Sequence, residues 1–307
     1  MRIVLIGQAA FGEKVFETLI QRGEEVVGVF LPPDIPGKPN SFKERVQRAR
    51  IPLRQPRRMR APEVYPEYVK LKPDLNVMAF VTDIIPENIL ELPRSGTIQY
   101  HPSLLPRHRG GSSINWAIIQ GETKTGLTIF WPDKGLDTGP ILLQKEVEIS
   151  ADDTVGSLYF NELFPLGVEA LVESIELIKK GKAPRIPQDE SKATYEGLCT
   201  EKDAIIHWSE PSAAVYNLIR GTNPQPGSTA AYMDKQFKIY DSEMVKVHRG
   251  GSPGEVVEFN SWGFVVACRD GGILIKKVQP PGQAKVASLE FAAQVHLKAG
   301  NSLNLLD

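Results

Sequence analysis

The opening residues constrain the fold more than any other stretch of the chain. Residues 2–7 read Arg-Ile-Val-Leu-Ile-Gly, with apolar side chains at consecutive positions. Successive residues of a strand point to opposite faces, so this run must be buried on both sides, as in a parallel sheet covered by helices. Gly7 and Gly12 bracket a short turn, after which Val15, Phe16, Leu19 and Ile20 recur at helical spacing up to Gly23. A second β-branched run follows at 26–30. Further strands are predicted at 75–80 and 96–100, with a short helix over 86–92. The alternation predicts an α/β fold built on a doubly wound, Rossmann-like sheet.

Beyond residue 126 the pattern becomes β-rich, with strands predicted at 126–131 and 141–149 and a loop over 133–140. A long amphipathic helix is predicted over about 154–180. Asp152, Asp153 and the cap Thr154 stand at its start, and Lys179, Lys180 and Gly181 at its end. Residues 182–196 carry two prolines and mixed charge and read as a linker. Beyond them, a helix near 213–220 precedes short strands at 237–239, 254–257, 263–267 and 273–278. Gly and Pro separate these strands, the pattern of a small β-rich, barrel-like domain. The predicted organisation is a domain over 1–181, a linker over 182–196 and a C-terminal domain over 197–307.

Composition excludes several functions. The 36 basic and 37 acidic residues give a net charge of −1, unlike a protein that grips nucleic acid or a membrane by overall charge. Two cysteines, Cys199 and Cys268, are too few for a disulfide scaffold or a cysteine zinc site. The apolar start is too short for a secretory leader, and no run approaches the roughly 20 apolar residues of a membrane span. A soluble, cytoplasmic protein is expected. The turn after the first strand invites a dinucleotide-binding reading, but the second glycine of G-x-G-x-x-G is Ala9 here. No acidic residue ends the second strand at Phe30-Leu31. A nicotinamide-dependent reductase therefore stays a minor alternative.

The densest chemical signal lies between Gln99 and Gly139. It contains His101-Pro102-Ser103-Leu104-Leu105-Pro106, Arg107-His108-Arg109-Gly110-Gly111, Asn115-Trp116 and Gly135-Leu136-Asp137-Thr138-Gly139. His101 ends a predicted parallel strand, where open α/β sheets place their ligand crevice. Each residue alone also has a structural reading, His101 as a hydrogen-bonded strand end and Asp137 as a turn residue.

Taken together, the run closely resembles the formyltransferase family that uses 10-formyltetrahydrofolate. The likeness extends through the Gly7 turn, residues 76–86, Tyr195-Glu196-Gly197, Trp208, Arg220 and Pro226-Gly227. Segments at 56–61, 100–110, 128–131 and 194–197 look more like the hydrolase domain of 10-formyltetrahydrofolate dehydrogenase than like methionyl-tRNA formyltransferase. The resemblance implies that His101 and Asp137 are catalytic, that 10-formyltetrahydrofolate is the formyl donor, and that no metal is needed. His101 would shuttle a proton and stabilise negative charge on the formyl oxygen. Asp137 would orient the imidazole or take a proton from the attacking water or amine, while the flanking glycines let its loop approach the pterin. A cis Leu105–Pro106 bond would suit the turn after His101.

The family's transferases place an Asn two residues before the His, and the hydrolase domain has an apolar residue there; this chain has Gln99. Gln99 either takes part as a third catalytic partner or bonds a neighbouring loop. The resemblance puts the pterin against the loops at 80–85 and 133–135, which include Phe80, Ile84, Ile85, Asp133, Lys134 and Gly135. Met78 and Phe80 would supply apolar walls, or simply pack a buried strand.

The acceptor is open between water, a tRNA-linked amine and a small amino compound. Residues 197–307 carry 11 basic and 11 acidic residues, unlike a tRNA-gripping domain. Between 41 and 60, eight basic residues (Lys43, Arg45, Arg48, Arg50, Arg54, Arg57, Arg58 and Arg60) face the single Glu44. The resemblance allows a tRNA-binding loop there; the favoured reading is a solvated helix anchored by Phe42 and Val46. A folate-binding module without turnover is the remaining non-enzyme alternative.

Overall fold

In chain order the elements are β1 (Arg2–Gly7), α1 (Ala9–Gln21), β2 (Glu25–Phe30), α2 (Ser41–Arg48), β3 (Leu53–Arg54), α3 (Val64–Val69), β4 (Leu75–Ala79), α4 (Glu87–Leu90) and β5 (Thr97–His101). There follow α5 (Ser113–Ile119), β6 (Lys124–Phe130), β7 (Ile141–Glu148), α6 (Val155–Leu158) and α7 (Phe164–Lys179). The last group is α8 (Ser212–Gly221), β8 (Ser228–Tyr232), β9 (Lys235–Val245), β10 (Val256–Asn260), β11 (Gly263–Ala267), β12 (Gly272–Gln279), β13 (Val286–Ala287) and α9 (Ser288–Gln294). The computed structural model describes residues 1–233, 235–247 and 250–303.

Two units emerge. The first comprises Met1–Gly110, Gly126–Val147 and Phe160–Tyr195, and the second Gly111–Thr125, Glu148–Tyr159 and Glu196–Asp307. The expected C-terminal domain begins within one residue of the last segment, and its final residues, 304–307, lie outside the described residues. Residues 111–125 and 148–159 cluster with that second unit, and residues 182–195 with the first.

Burial on both faces explains the first unit. Ile3 and Leu5 of β1 belong to one apolar cluster, with Phe11, Phe16 and Leu19 of α1 and Leu171 and Ile175 of α7. Val4 and Ile6 belong to the cluster on the opposite face, with Val64 and Tyr68 of α3 and Ile89 and Leu90 of α4. The sheet runs β3-β2-β1-β4-β5-β6-β7. Its core pairs are parallel, whereas β5 and β6 run antiparallel. Gly7 and Gly12 serve this packing: a Cβ on Gly7 would lie 2.8 Å from the Ala79 carbonyl oxygen, and one on Gly12 2.9 Å from the Phe42 ring.

The single helix predicted over 154–180 is interrupted. α6, capped by Thr154 and Ser157 in a reciprocal box, passes through a π-helical turn (Tyr159–Leu163) before α7 begins. Pro165 sits in the first turn of α7 and has no N–H to donate, so the hydrogen-bond register widens just before it.

The short strands of the second unit form an antiparallel sheet, ordered β10-β11-β12-β9-β8 with β13 beside β12. Trp208, Val215, Phe237, Ile239, Phe264, Ile275 and Phe291 fill its core.

In the first unit, the chain runs from β1 outward to β2 and β3, then returns to the other side of β1 as β4. The connections leaving the carboxyl ends of β1 and β4 therefore run to opposite sides of the sheet, the place where open α/β sheets hold ligands. A crevice of about 280 Å³ opens there, lined by Gly7, Gln8, Arg57, Arg58, Phe80 and Thr82 among others.

Candidate active site

His101 is the last residue of β5, and Gln99 lies two residues before it on the same face of the strand. Tyr100 points the other way and stacks on Phe11 with ring centroids 4.3 Å apart. Across the sheet Gln99 neighbours Met78 of β4 and Phe130 of β6, while His101 neighbours Thr128.

The turn after His101 is tied down on every side. Ser103 Oγ donates to the Arg107 carbonyl (2.7 Å), and Thr128 Oγ1 donates to the Ser103 carbonyl (2.7 Å). Gln144 Nε2 donates to the Leu105 carbonyl (2.8 Å), and the Leu105–Pro106 bond is cis.

The turn brings residues 108–110 back onto His101. The His108 carbonyl lies 2.8 Å from His101 Nε2; a carbonyl can only accept, so Nε2 carries the proton of that bond. His101 Nδ1 then faces Asp137 Oδ2 at 3.6 Å, an ion-pair distance too long for a hydrogen bond. The same Oδ2 accepts the Gly110 N–H at 2.8 Å. Both side chains are more than nine-tenths buried, so the pair interacts in a poorly screening environment. Such an arrangement can hold a proton at Nδ1 or Oδ2 and return it to a reacting group.

Asp137 adopts a left-handed backbone (φ +55°), which Asp tolerates better than most residues. Its loop closes on itself. Asp133 Oδ1 accepts from Gly135 N (2.9 Å) and from Thr138 Oγ1 (2.6 Å). A Cβ on Gly135 would lie 2.0 Å from Thr138 Oγ1, and one on Gly139 1.8 Å from the Trp131 carbonyl oxygen. These glycines are thus required by the loop's own packing.

The remaining candidates are dispersed. Gln99 is half-buried and, among the described residues, its amide has no hydrogen-bond partner. Phe80, with φ +61°, is partly exposed and lines the crevice. Met78 and Ile85 are buried in the core on the α3–α4 face, whereas Ile84, Asp133, Lys134 and Gly135 are exposed.

Sequence reasoning missed Gln188 and Glu190, and it gave Arg109, though inside the dense motif, no role. Arg109 is fully buried, and its guanidinium donates to Gln188 Oε1 and to both carboxylate oxygens of Glu190. Those bonds hold the Glu190 carboxyl below its usual range. Gln188 Nε2 in turn donates to the carbonyls of Asp137 (2.8 Å) and Gly139 (2.7 Å). Arg109 sits inside the dense motif, but nothing in the spacing of residues 182–196 marked Gln188 as its partner. Among the described residues, no group of His, Cys, Asp and Glu is arranged to hold a metal, and no helix is long and apolar enough to cross a membrane.

Residues 1–175 match the family model described as formyl transferase, and residues 199–296 match its C-terminal domain. Human cytosolic 10-formyltetrahydrofolate dehydrogenase is 45% identical over 249 residues, which are 80% of this chain. The chain spans only 28% of the length of that relative. A methionyl-tRNA formyltransferase from Geobacter sulfurreducens is 36% identical over 309 residues, 99% of this chain and 96% of the relative. HypX from Aquifex aeolicus, solved with tetrahydrofolic acid, superposes with a TM-score of 0.70 at 19% identity, covering 100% of this chain and 50% of HypX. At that identity the likeness speaks for the fold.

Proposed function

The chain belongs to the formyl transferase family, and on that premise we propose that it cleaves the formyl–N10 bond of 10-formyltetrahydrofolate with water as acceptor. The observation that carries the reading is the buried His101–Asp137 pair, 3.6 Å apart at the carboxyl edge of the sheet. The water oxygen attacks the formyl carbon and gives a proton to Asp137. The tetrahedral intermediate carries a negative oxygen, which a proton held on His101 stabilises. As the carbon–nitrogen bond breaks, N10 takes a proton from His101 and leaves as tetrahydrofolate; the proton on Asp137 passes to His101 Nδ1, and the formic acid released gives its proton to solvent as formate. We place the pterin against the loops at 80–85 and 133–135. Phe80, Ile84, Lys134 and Gly135 offer exposed surface there, Asp133 braces the second loop, and Met78 and Ile85 support the first from below.

Water is favoured over tRNA by the 41–60 segment. Phe42 and Val46 of α2 are buried, as a helix anchored to the sheet requires. Lys43 pairs with Asp34, Arg45 with Glu13 and Glu17, Arg48 with Glu44, Arg54 with Glu67, and Arg58 with Asp83. A phosphate backbone would have to compete with these carboxylates. The 45% identity to the dehydrogenase points the same way. Transfer to an amine is the second reading, supported by the end-to-end match to methionyl-tRNA formyltransferase and by the uncommitted amide of Gln99, where the resemblance puts the transferases' Asn.

Incubation with 10-formyltetrahydrofolate separates the two. Formate released without an amine supports hydrolysis, whereas tetrahydrofolate formed only with an amine present supports transfer. NAD(P) binding in a titration, with neither product formed, would point to the reductase instead.

A further inference from the structure

We propose that Gln188 and Arg109 are positioning residues for this reaction, forming a hydrogen-bonded frame, centred on the fully buried Arg109, that fixes the Asp137 carboxylate opposite the His101 imidazole. The inference rests on the reaction proposed above.

The frame is a closed circuit. Residues 108–110 touch both catalytic side chains, through the His108 carbonyl on His101 and the Gly110 N–H on Asp137. The side chain between them, Arg109, turns away and meets Gln188 Oε1 through Nε (3.1 Å) and Nη2 (2.8 Å). Glu190 takes the far edge of the guanidinium in a two-point contact (2.9 and 2.6 Å), and the Tyr195 hydroxyl also bonds Nη1. With Arg109 thus fixed, Gln188 has its oxygen committed, and its Nε2 can point only at the carbonyls of Asp137 and Gly139. One amide side chain thereby links the segment beneath His101 to the backbone of Asp137.

The backbone at Asp137 explains why such a link is needed. A left-handed non-glycine residue persists only where its surroundings over-determine it. The two carbonyls gripped by Gln188 flank Thr138, so the grip spans the turn in which Asp137 is strained. The rest of the 182–196 segment is anchored independently. Trp131 Nε1 bonds the Pro184 carbonyl, and Ile186 exchanges backbone bonds with Ile141. Thr194 takes the His108 N–H on its Oγ1 and the Arg109 N–H on its carbonyl. Gln188 is therefore held from both sides of the chain.

Gln188→Ala removes the link, and Gln188→Glu keeps an acceptor for Arg109 while losing the donor to the loop. Both variants are expected to lower kcat for formyl release about 10²-fold, the effect of a misplacement near 1 Å. KM for the formyl donor should rise by a smaller factor than kcat falls, because the 80–85 loop still holds the pterin while the reacting groups lose their orientation. Amide hydrogen exchange over residues 133–139 should rise in both, with exchange in the second unit unchanged. A kcat within about 3-fold of wild type, or unchanged exchange over 133–139, overturns the proposal. If the wild-type chain produces neither formate nor a formylated amine, the reaction reading fails instead. The exchange measurement then decides by itself whether Gln188 fixes the loop.

Discussion

At the scale of single residues, the site works through atoms already committed elsewhere. His101 Nε2 is tied to the His108 carbonyl, so proton exchange with a reacting group is confined to the Nδ1 side, facing Asp137. His101→Ala removes both the charge and the shuttle, and formate release should fall by roughly 10²–10⁴-fold. A pure folate binder would lose no turnover in that assay and keep its affinity. Gly139→Ala tests the loop itself. Its Cβ would stand 1.8 Å from the Trp131 carbonyl oxygen, a contact that only backbone movement can relieve. Turnover should fall by about 10²-fold, while far-ultraviolet circular dichroism stays that of wild type. His101 and Asp137 could be singled out from sequence because they lie in short, crowded motifs, and the structure brings the two side chains within 3.6 Å. Gln188 could not, because a glutamine in a proline-containing connection carries no local sign of what it will bond.

At the scale of elements, periodicity located the strands and helices of the central sheet, left α3, α5, β8 and α9 unmarked, and failed where hydrogen-bond geometry departs from the regular spacing. The 154–180 pattern is helical throughout by spacing, yet a π turn over Tyr159–Leu163 stands just before Pro165. β4 shows the reverse case, a polar residue in an otherwise apolar strand. Asn76 is fully buried, and its amide donates to the Ile89 carbonyl and to Thr97 Oγ1 (both 3.0 Å). Tyr68 donates to its carbonyl oxygen at 2.8 Å. Asn76 thus ties β4 to β5, α4 and α3, the layer beneath the crevice. Asn76→Ala should lower unfolding free energy by about 1–3 kcal/mol, since buried groups lose a partner. Urea titration measures that loss, and an unchanged midpoint would contradict this account of the layer.

At the scale of the whole molecule, several buried acids titrate above their ordinary range. Burial pushes the Cys268 thiol and the Tyr159 phenol each up to about 12, and raises Tyr68 further. Their protonated forms belong to the folded state, so above the ordinary values of 9.0 and 10.0 the unfolded chain binds fewer protons than the folded one. Stability from these groups is complete below about pH 9 and is lost as pH rises toward 12. The melting temperature should decline over that window, and part of the tyrosinate absorbance should appear only on unfolding. Full tyrosinate absorbance in a chain still folded at pH 11 would contradict the raised phenols of the buried Tyr68 and the half-buried Tyr159.

The sequence by itself determined what depends on neighbours along the chain. The doubly apolar β1 demanded helices on both faces, the turn-separated strands after residue 197 indicated a small β-rich, barrel-like domain, and the crowded His101 motif supplied the candidate site residues. Tertiary structure alone decided what depends on distant segments meeting. Arg109 finds Gln188 79 positions away, and Gly110 finds the Asp137 carboxylate 27 positions away. Local patterning fixes a segment's shape and its apolar face. Which polar groups converge at the end of a sheet is set only when burying that face brings the segments together and excludes the water that would otherwise satisfy them.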